Sequence, residues 1–303
     1  MSSRFTIVGL GEALFDVLPD AQHLGGAPLN AAIHAHQLAQ KRSGRGVVVS
    51  RVGQDALASQ VIDALKQRGM DTSYIQSDPD YDTGKVYVDL DDQGQPSYDI
   101  VSNVAWDVLQ FDPDLEDLAK RCEAVTFGTL AQRHPQSRTT IHRFLATATR
   151  AIRLFDVNLR QDFFDESILR RSCENANVLK LNQAELPVVL QTLGMDSQAD
   201  EQEMIQSLFR RFQFRMIALT RGSQGTVLYT PHERVEGPPV SYPSDPQADA
   251  IGAGDACTAG LLVGLVLRLP PSRLVNLANH MGAFVASRPG ATPELPAEIL
   301  ELL

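Results

Sequence analysis

The stretch Asp249-Ala250-Ile251-Gly252-Ala253-Gly254-Asp255-Ala256-Cys257-Thr258-Ala259-Gly260 runs straight into the apolar segment Leu261-Leu262-Val263-Gly264-Leu265-Val266-Leu267. It reads as a small-residue loop feeding the first turn of a buried helix. Small residues at 252–254 let the backbone approach a ligand closely, with N–H groups turned toward it. The helix start adds donors without intrahelical partners and a partial positive charge. Such a junction holds anionic oxygen, most often phosphate. Asp255 is the odd member, a carboxylate where an anion should bind. One reading is that it only complements the helix dipole. The other is a base beside a phosphate cradle, which phosphoryl transfer to a hydroxyl requires.

Upstream of this stretch the chain alternates between strands and helices, the pattern of a parallel α/β sheet. Phe5–Leu10 reads as a buried strand, followed by an extended segment at Leu14–Pro19 that carries Asp16. Gly9-Leu10-Gly11-Glu12-Ala13-Leu14 begins like a dinucleotide fingerprint, but Leu14 stands where the third glycine belongs and no helix follows. Gly25-Gly26-Ala27-Pro28 leads into an Ala-rich helix carrying Asn30. Val47–Ser50 is a second strand, and Gly53-Gln54-Asp55 opens a helix with Leu57, Val61 and Leu65 at helical spacing. Residues 81–105 break the rhythm. Lys85–Leu90 and Ser97–Val101 alternate around the turn Asp91-Asp92-Gln93-Gly94 and predict an antiparallel hairpin. Alternation resumes with strands at Ala124–Phe127, Ile152–Asn158, Val178–Leu181, Met216–Thr220 and Gly225–Tyr229, and a helix over Ser137–Thr149. In open parallel sheets ligands bind beyond the carboxyl ends of the strands. Asn158, Arg160, Asn182, Glu185, Thr220 and Gly222 all fall there.

Bulk properties narrow the field. The 303 residues are 43% hydrophobic and 21% charged, enough for a large core. The net charge of −10 builds no broad basic face, so a nucleic-acid partner is not expected. Cys122, Cys173 and Cys257 are odd in number and far apart, as reduced thiols of a cytoplasmic protein would be. Neither a leader-like apolar region nor a membrane span is expected. The Walker A pattern, the protein-kinase motifs and HExxH are absent, and His34 and His36 do not share a helix face, so a zinc site is not expected.

Taken together, the motifs resemble those of the ribokinase-type (PfkB) carbohydrate kinases, most closely the fructokinase-like branch. The resemblance is carried by Gly11-Glu12 with Asp16, Gly25-Gly26-Ala27-Pro28 with Asn30, Arg51-Val52-Gly53-Gln54-Asp55, Thr83-Gly84 and Ala105-Trp106-Asp107. It continues through Asp156-Val157-Asn158-Leu159-Arg160, Asn182-Gln183-Ala184-Glu185, Thr220-Arg221-Gly222 with Gly225, and 249–255. It implies an ATP-dependent sugar kinase with a ribokinase-like fold, a doubly wound and mostly parallel sheet flanked by helices. Asp255 would be the general base, and the N–H groups of Gly252, Ala253 and Gly254 the anion hole. Asp16, Gly26, Asn30 and Arg160 would hold the sugar. Asn182 and Glu185 would position Mg2+ and the phosphates, partly through water. Thr220, Gly222 and Gly225 would line the ATP site, with Asn279 near the adenine. Asp249, the Ile251 carbonyl and Gly290 would supply a monovalent-cation site for K+.

Two positions depart from the family pattern. Ala250 replaces the usual Thr, which bears on the cation site, and Cys257 replaces an aromatic residue. The helix dipole is also expected to keep Asp255 a weak base. The Gly25–Pro28 loop and Gly128-Thr129-Leu130-Ala131-Gln132-Arg133 favour fructose as acceptor, phosphorylated at a primary hydroxyl to fructose 6-phosphate. Another ketose, 2-keto-3-deoxygluconate, ribose, a nucleoside and a non-catalytic sugar sensor on this fold are the alternatives. The expected organisation is an α/β core of residues 1–10, 26–80 and 106–303. A small β lid of 11–25 and 81–105 would cover the site and offer a homodimer surface.

Overall fold

The segment Phe5-Thr6-Ile7-Val8-Gly9-Leu10 forms β1 (Phe5–Leu10), the strand from which the main sheet grows in both directions. The structure is a computed structural model describing residues 5–18, 21–90 and 96–303, with side chains outside 88–98. After β1 the chain leaves the main sheet for β2 (Leu14–Val17) and β3 (Gln22–Gly25). It returns through α1 (Ala27–Gln40) and β4 (Gly44–Val52), then α2 (Ala56–Gln67) and β5 (Ile75–Ser77). The hairpin β6 (Gly84–Leu90) and β7 (Pro96–Ile100) follows. The alternation then runs α3 (Pro113–Arg121), β8 (Ala124–Phe127), α4 (Pro135–Thr147), β9 (Ile152–Asp156), α5 (Glu166–Asn175) and β10 (Val178–Asn182). It continues with α6 (Glu185–Thr192), α7 (Glu201–Arg211), β11 (Met216–Thr220), β12 (Thr226–Tyr229) and β13 (Arg234–Glu236). Three helices close the chain: α8 (Ala253–Val266), α9 (Pro271–Val285) and α10 (Ala297–Leu300).

The nine-stranded sheet has the order β13-β12-β11-β10-β9-β8-β1-β4-β5. Every pair from β5 to β11 is parallel, and β12 and β13 extend the edge antiparallel. The winding direction therefore reverses between β1 and β8, the kind of switch point beyond whose strand ends open α/β sheets bind their ligands. Both faces are covered, which explains why these strands read as continuous apolar runs. Alternate residues serve opposite layers. Leu10, Phe127, Phe155, Leu179 and Leu219 pack against α3 to α7, whereas Ile7, Leu154, Val178 and Ala218 pack against α8 and α9. Leu29 and Ile33 of α1 join Val61 and Leu65 of α2 in a third cluster.

Sequence and structure differ in detail. The helix read over Ser137–Thr149 spans Pro135–Thr147, because proline fits a first turn where its missing N–H is no loss. In α2 the buried positions are Ala58, Val61 and Leu65, and Leu57 is only half-buried. The predicted turn Asp91-Asp92-Gln93-Gly94 lies outside the described residues. Among the described residues no helix is long and apolar enough to cross a membrane.

The hairpin joins β2 and β3 in a separate four-stranded sheet, β3-β2-β6-β7. Polar ties hold it to the main body at both ends of the hairpin. On the entry side Asp55 accepts from Ala58 N–H at 2.8 Å, capping α2, and also from the Thr83 hydroxyl and N–H at 2.8 Å each. On the exit side Arg133 is paired with Asp107, lies over Trp106, and donates to the Val101 carbonyl at 2.6 Å. Replacing Asp55 by Ala removes a helix cap and leaves buried Thr83 donors unmatched. Asp55→Ala is expected to cost about 2–4 kcal/mol, against about 1 kcal/mol for Asp200→Ala, which removes only the cap of α7. Urea unfolding midpoints of the two variants check this.

Candidate active site

The start of α8 is left open by the residues that form it. Its N-cap, Gly252, has φ 77°, and no side chain caps the helix. A Cβ at residue 252 would lie 2.4 Å from the Ala291 carbonyl oxygen, so glycine is required by conformation and by space. Gly252 and Ala253 are half-buried and Gly254 is exposed. The Ala253 N–H makes a long bond of 3.3 Å to Ala250.

Asp255 stands in the first turn of α8, half-buried. Its Oδ2 accepts from Asn30 Nδ2 at 2.8 Å. Asn30 is itself 3% exposed and belongs to α1, so two helix starts meet here. Burial pushes the Asp255 carboxyl up to about 6, with Asp156 adding to the effect and Asn30, Lys180 and Arg160 opposing it. The expected weak base is thus corrected. Desolvation of the carboxylate, held against buried Asn30, outweighs what the helix start would do.

Beneath this turn lies a pair that the motif reading missed. Lys180 is 5% exposed, and its Nζ contacts both oxygens of Asp156 at 2.8 and 2.9 Å. Thr258 of α8 donates to the same carboxylate at 2.6 Å. Lys180 Nζ is 3.7 Å from where a Cβ on Gly254 would stand, which sets a fixed cation under the helix start. Burial works against that charge, but Asp156 and Asp255 outweigh it and keep the ammonium protonated. The signal was available in the sequence. Asp156 and Lys180 each end or interrupt an apolar strand, and the two are direct partners across parallel β9 and β10.

The remaining sequence-predicted groups fall on two sides of α8. Arg160, beyond β9, acts electrostatically on both Asp16 of β2 and Asp255, and Asp16 lies beside Gly25, 2.9 Å from where a Cβ there would stand. Burial raises the Asp16 carboxyl, and His23 and Arg160 oppose the rise. Arg160 is exposed, donates to its neighbour Leu159 O at 3.1 Å, and acts electrostatically on Glu12, Asp16 and Asp255 alike. Gly26, the N-cap of α1, has φ 112° and no side-chain cap. Glu12, quoted only as part of a motif, is 3% exposed, and burial pushes its carboxyl up to about 7.

On the other side a cavity of about 510 Å³ is lined by Thr220, Gly222, Gly225, Gly254, Cys257 and Asn279 among others. Asn279 is buried, and its Nδ2 donates to Pro238 O at 3.0 Å. The cavity reaches the start of α8 at Ala253 and Gly254, the latter one residue before Asp255. Asn182 and Glu185 do not line it. They form a closed turn at the end of β10, where Glu185 accepts from Leu159 N at 2.9 Å and Asn182 N at 2.8 Å. Asn182 Oδ1 in turn accepts from Ala184 N and Glu185 N, each at 2.9 Å. The Asp249 carboxylate accepts from Ile251 N at 2.9 Å and Gly290 N at 3.0 Å, stapling the 249–251 loop to the 288–290 loop.

Comparison with known proteins agrees with this architecture. The model of the pfkB family carbohydrate kinase matches residues 19–298. A fructokinase from Salmonella typhimurium is 28% identical over 306 residues, covering 95% of each chain. The structure of a fructokinase double mutant from Vibrio cholerae O395, with fructose, ADP and potassium ion bound, has a TM-score of 0.80 at 26% identity. That match covers 100% of this chain and 99% of the other. A fructokinase from Xylella fastidiosa with bound ATP has a TM-score of 0.82 at 24% identity, covering 98% of this chain and 97% of its own.

Breaking the buried pair leaves Asp156 charged without its cation. Lys180→Met is expected to cost about 3–5 kcal/mol, and adding Asp156→Asn to recover more than half of the loss. Calorimetric unfolding of the single and double variants measures the coupling; equal losses in both would mean the two charges are not coupled.

Proposed function

Because the chain belongs to the pfkB family of carbohydrate kinases, we propose that this sugar kinase phosphorylates fructose from ATP at a primary hydroxyl, giving fructose 6-phosphate. The observation that carries this reading is the position of Asp255. It is one residue from Gly254, which lines the cavity, and its carboxylate accepts from buried Asn30 at 2.8 Å, with Arg160 acting on it electrostatically. ATP would occupy that cavity, with its adenine beside Asn279 and its terminal phosphate at Gly252, Ala253 and Gly254. Fructose would lie against Asp16, Gly26, Asn30 and Arg160. Fructose is favoured by the likeness to fructokinases over nearly the whole chain.

The reaction needs positioning and charge stabilisation more than covalent help. Asp255 takes the proton from the acceptor hydroxyl as its oxygen bonds to the γ-phosphorus, and the bond to the bridging oxygen breaks to release ADP. The N–H groups at the start of α8 and the fixed charge of Lys180 face the negative charge in transfer. Asn182 and Glu185 suit a hydrated Mg2+. Their oxygens already accept backbone N–H groups, so they are oriented and keep lone pairs for water-mediated contact. Mg2+ supplies charge neutralisation to the phosphates when bound. The Asp249 carboxylate is oriented by backbone donors in the same way and would hold K+ together with the carbonyls of Ile251 and Gly290. The four-stranded sheet would act as the lid that keeps water from competing as acceptor. Tyr87 of that sheet is 43% exposed and offers surface for a homodimer, which light scattering would detect as twice the chain mass. Three buried free cysteines fit a reducing compartment such as the cytoplasm.

The test is ADP release with MgATP across fructose, ribose, 2-keto-3-deoxygluconate, tagatose, mannose, glucose and adenosine, each with and without K+. Fructose is expected to give the highest kcat/KM, and another clear winner would replace it. Asp255→Asn is expected to lower kcat by a factor on the order of 10² to 10⁴ with little change in sugar KM. Turnover near the parent level in that variant would remove Asp255 from the role of base.

A further inference from the structure

Helix α1 carries three polar side chains, Asn30, His34 and Gln37, at the spacing of a single helix face. Each bonds to the C-terminal part of the chain. Asn30 donates to Asp255 at 2.8 Å. One turn on, His34 Nε2 donates to the Ala291 carbonyl at 3.0 Å. Gln37 donates to the Pro293 carbonyl at 3.3 Å and accepts from the Leu295 N–H at 2.8 Å. His36 turns the other way, where its Nδ1 accepts from the N–H of Gly46 in β4 at 3.2 Å.

His34 is the member of this stripe that calls for an explanation. It is fully buried. A carbonyl can only accept, so Nε2 carries the hydrogen, and Nδ1 is left as a buried acceptor without a partner. Burial pushes the imidazole down to about 4, so the ring stays neutral at working pH. An unsatisfied polar atom in a helix core is unfavourable, which gives weight to the one bond the ring does make.

That bond falls on a critical carbonyl. The Ala291 oxygen is the atom that lies against Gly252, 2.4 Å from where a Cβ there would stand. Gly252 is the left-handed N-cap of α8. Next to Ala291, the Gly290 N–H is tied to Asp249 at 3.0 Å. The Ala291 carbonyl is therefore held by His34 and in turn backs Gly252. One face of α1 thus fixes two parts of the site, the Asp255 carboxylate through Asn30 and the backbone that opens α8 through His34 and Ala291.

We propose that His34 is a positioning residue of the phosphoryl-transfer site: its Nε2–H holds the Ala291 carbonyl against Gly252 and so fixes the direction of the N–H groups that open α8 relative to Asp255. This rests on those N–H groups receiving the transferring phosphoryl, as in the proposed reaction. His34 is fully buried, so it acts through Ala291 and touches neither substrate. Its loss falls on kcat. Misdirected donors stabilise less of the charge developing in the transition state, whereas ground-state binding is spread over the cavity and the polar groups around Asn30.

The experiment compares steady-state kinetics and melting temperature, with the best sugar, in the parent, His34→Leu, His34→Ala, His34→Gln and His36→Leu. Leucine and alanine remove the donor, one keeping the bulk and one not, so that a poor fit of either leaves the other to report. Glutamine puts an amide N–H where Nε2 stands. His34→Leu and His34→Ala are expected to lower kcat about ten-fold, with less than about two-fold change in the KM of sugar or ATP. His34→Gln should recover kcat to within about three-fold of the parent. His36→Leu deprives the Gly46 N–H of its acceptor on the same helix, and should melt lower at the parent kcat. A kcat lost equally in His34→Gln, or lost in His36→Leu as well, would reduce His34 to a general structural role and overturn the proposal.

Amide hydrogen exchange supplies an arm that needs no activity. The Ile251 and Gly290 N–H groups bond to Asp249 in the two loops that lead to Gly252 and Ala291. They are expected to exchange faster in His34→Leu than in the parent or in His34→Gln. A parent-like kcat in His34→Leu overturns the proposal, and exchange then gives the cause. Unchanged exchange would mean that His34 holds nothing in place. Faster exchange would mean that the N–H groups opening α8 do not serve the phosphoryl, and the proposed reaction would lose its anion hole.

Discussion

The start of α8 must stay open, and the architecture around the site follows from that constraint. The first N–H groups of a helix have no partners one turn back, and most helices of this chain satisfy them with a side chain. Asp55, Asp112, Asp165 and Asp200 do this for α2, α3, α5 and α7. The side chain of Asn182 does it for α6. The two helices that converge on Asp255 behave differently. Both α1 and α8 begin at glycines with positive φ and without a side-chain cap. An open helix start is stable only where its surroundings are rigid. Here rigidity comes from the Ala291 carbonyl packed on Gly252 and from the Asp249 staple between the two flanking loops.

Electrostatics at this point is a contest between burial and neighbours. A helix start and a nearby ammonium both favour an ionised carboxylate. Desolvation opposes it, and for Asp255 desolvation prevails. The Lys180–Asp156 pair is the counterpart. Burial by itself lowers the proton affinity of Lys180, but two carboxylate oxygens within 3 Å hold the proton in place. One crevice thus contains a carboxylate inclined to accept a proton and a cation unable to give one up. That division suits a reaction in which one group receives a proton and another only stabilises charge.

Much of this was legible in the chain itself. The alternation of apolar strands and helices predicts the parallel sheet, because both faces of each strand must be buried. The hairpin at Lys85–Val101 stands out because its period of two contradicts the surrounding rhythm. The glycine-rich loop before α8, Asp255 and Asn30 were visible as small residues and polar groups at a helix start. Less visible were Lys180 and Asp156, because a charge within an apolar strand declares its partner only when strand order is known. Glu12 was equally hidden. Nothing in Gly11-Glu12-Ala13 says that the start of a helix fifteen residues later will close over it.

The amino-acid sequence by itself determined the layers, the loop-to-helix junction and the class of chemistry, since these depend on periodicity and on residue types that act locally. Tertiary structure alone decided which polar groups meet, which carboxyls burial makes more basic, and which cation lies beneath the start of α8. Proton affinity depends on burial and on charges brought together from distant parts of the chain. Asn30 and Asp255 are 225 residues apart in sequence and 2.8 Å apart in space.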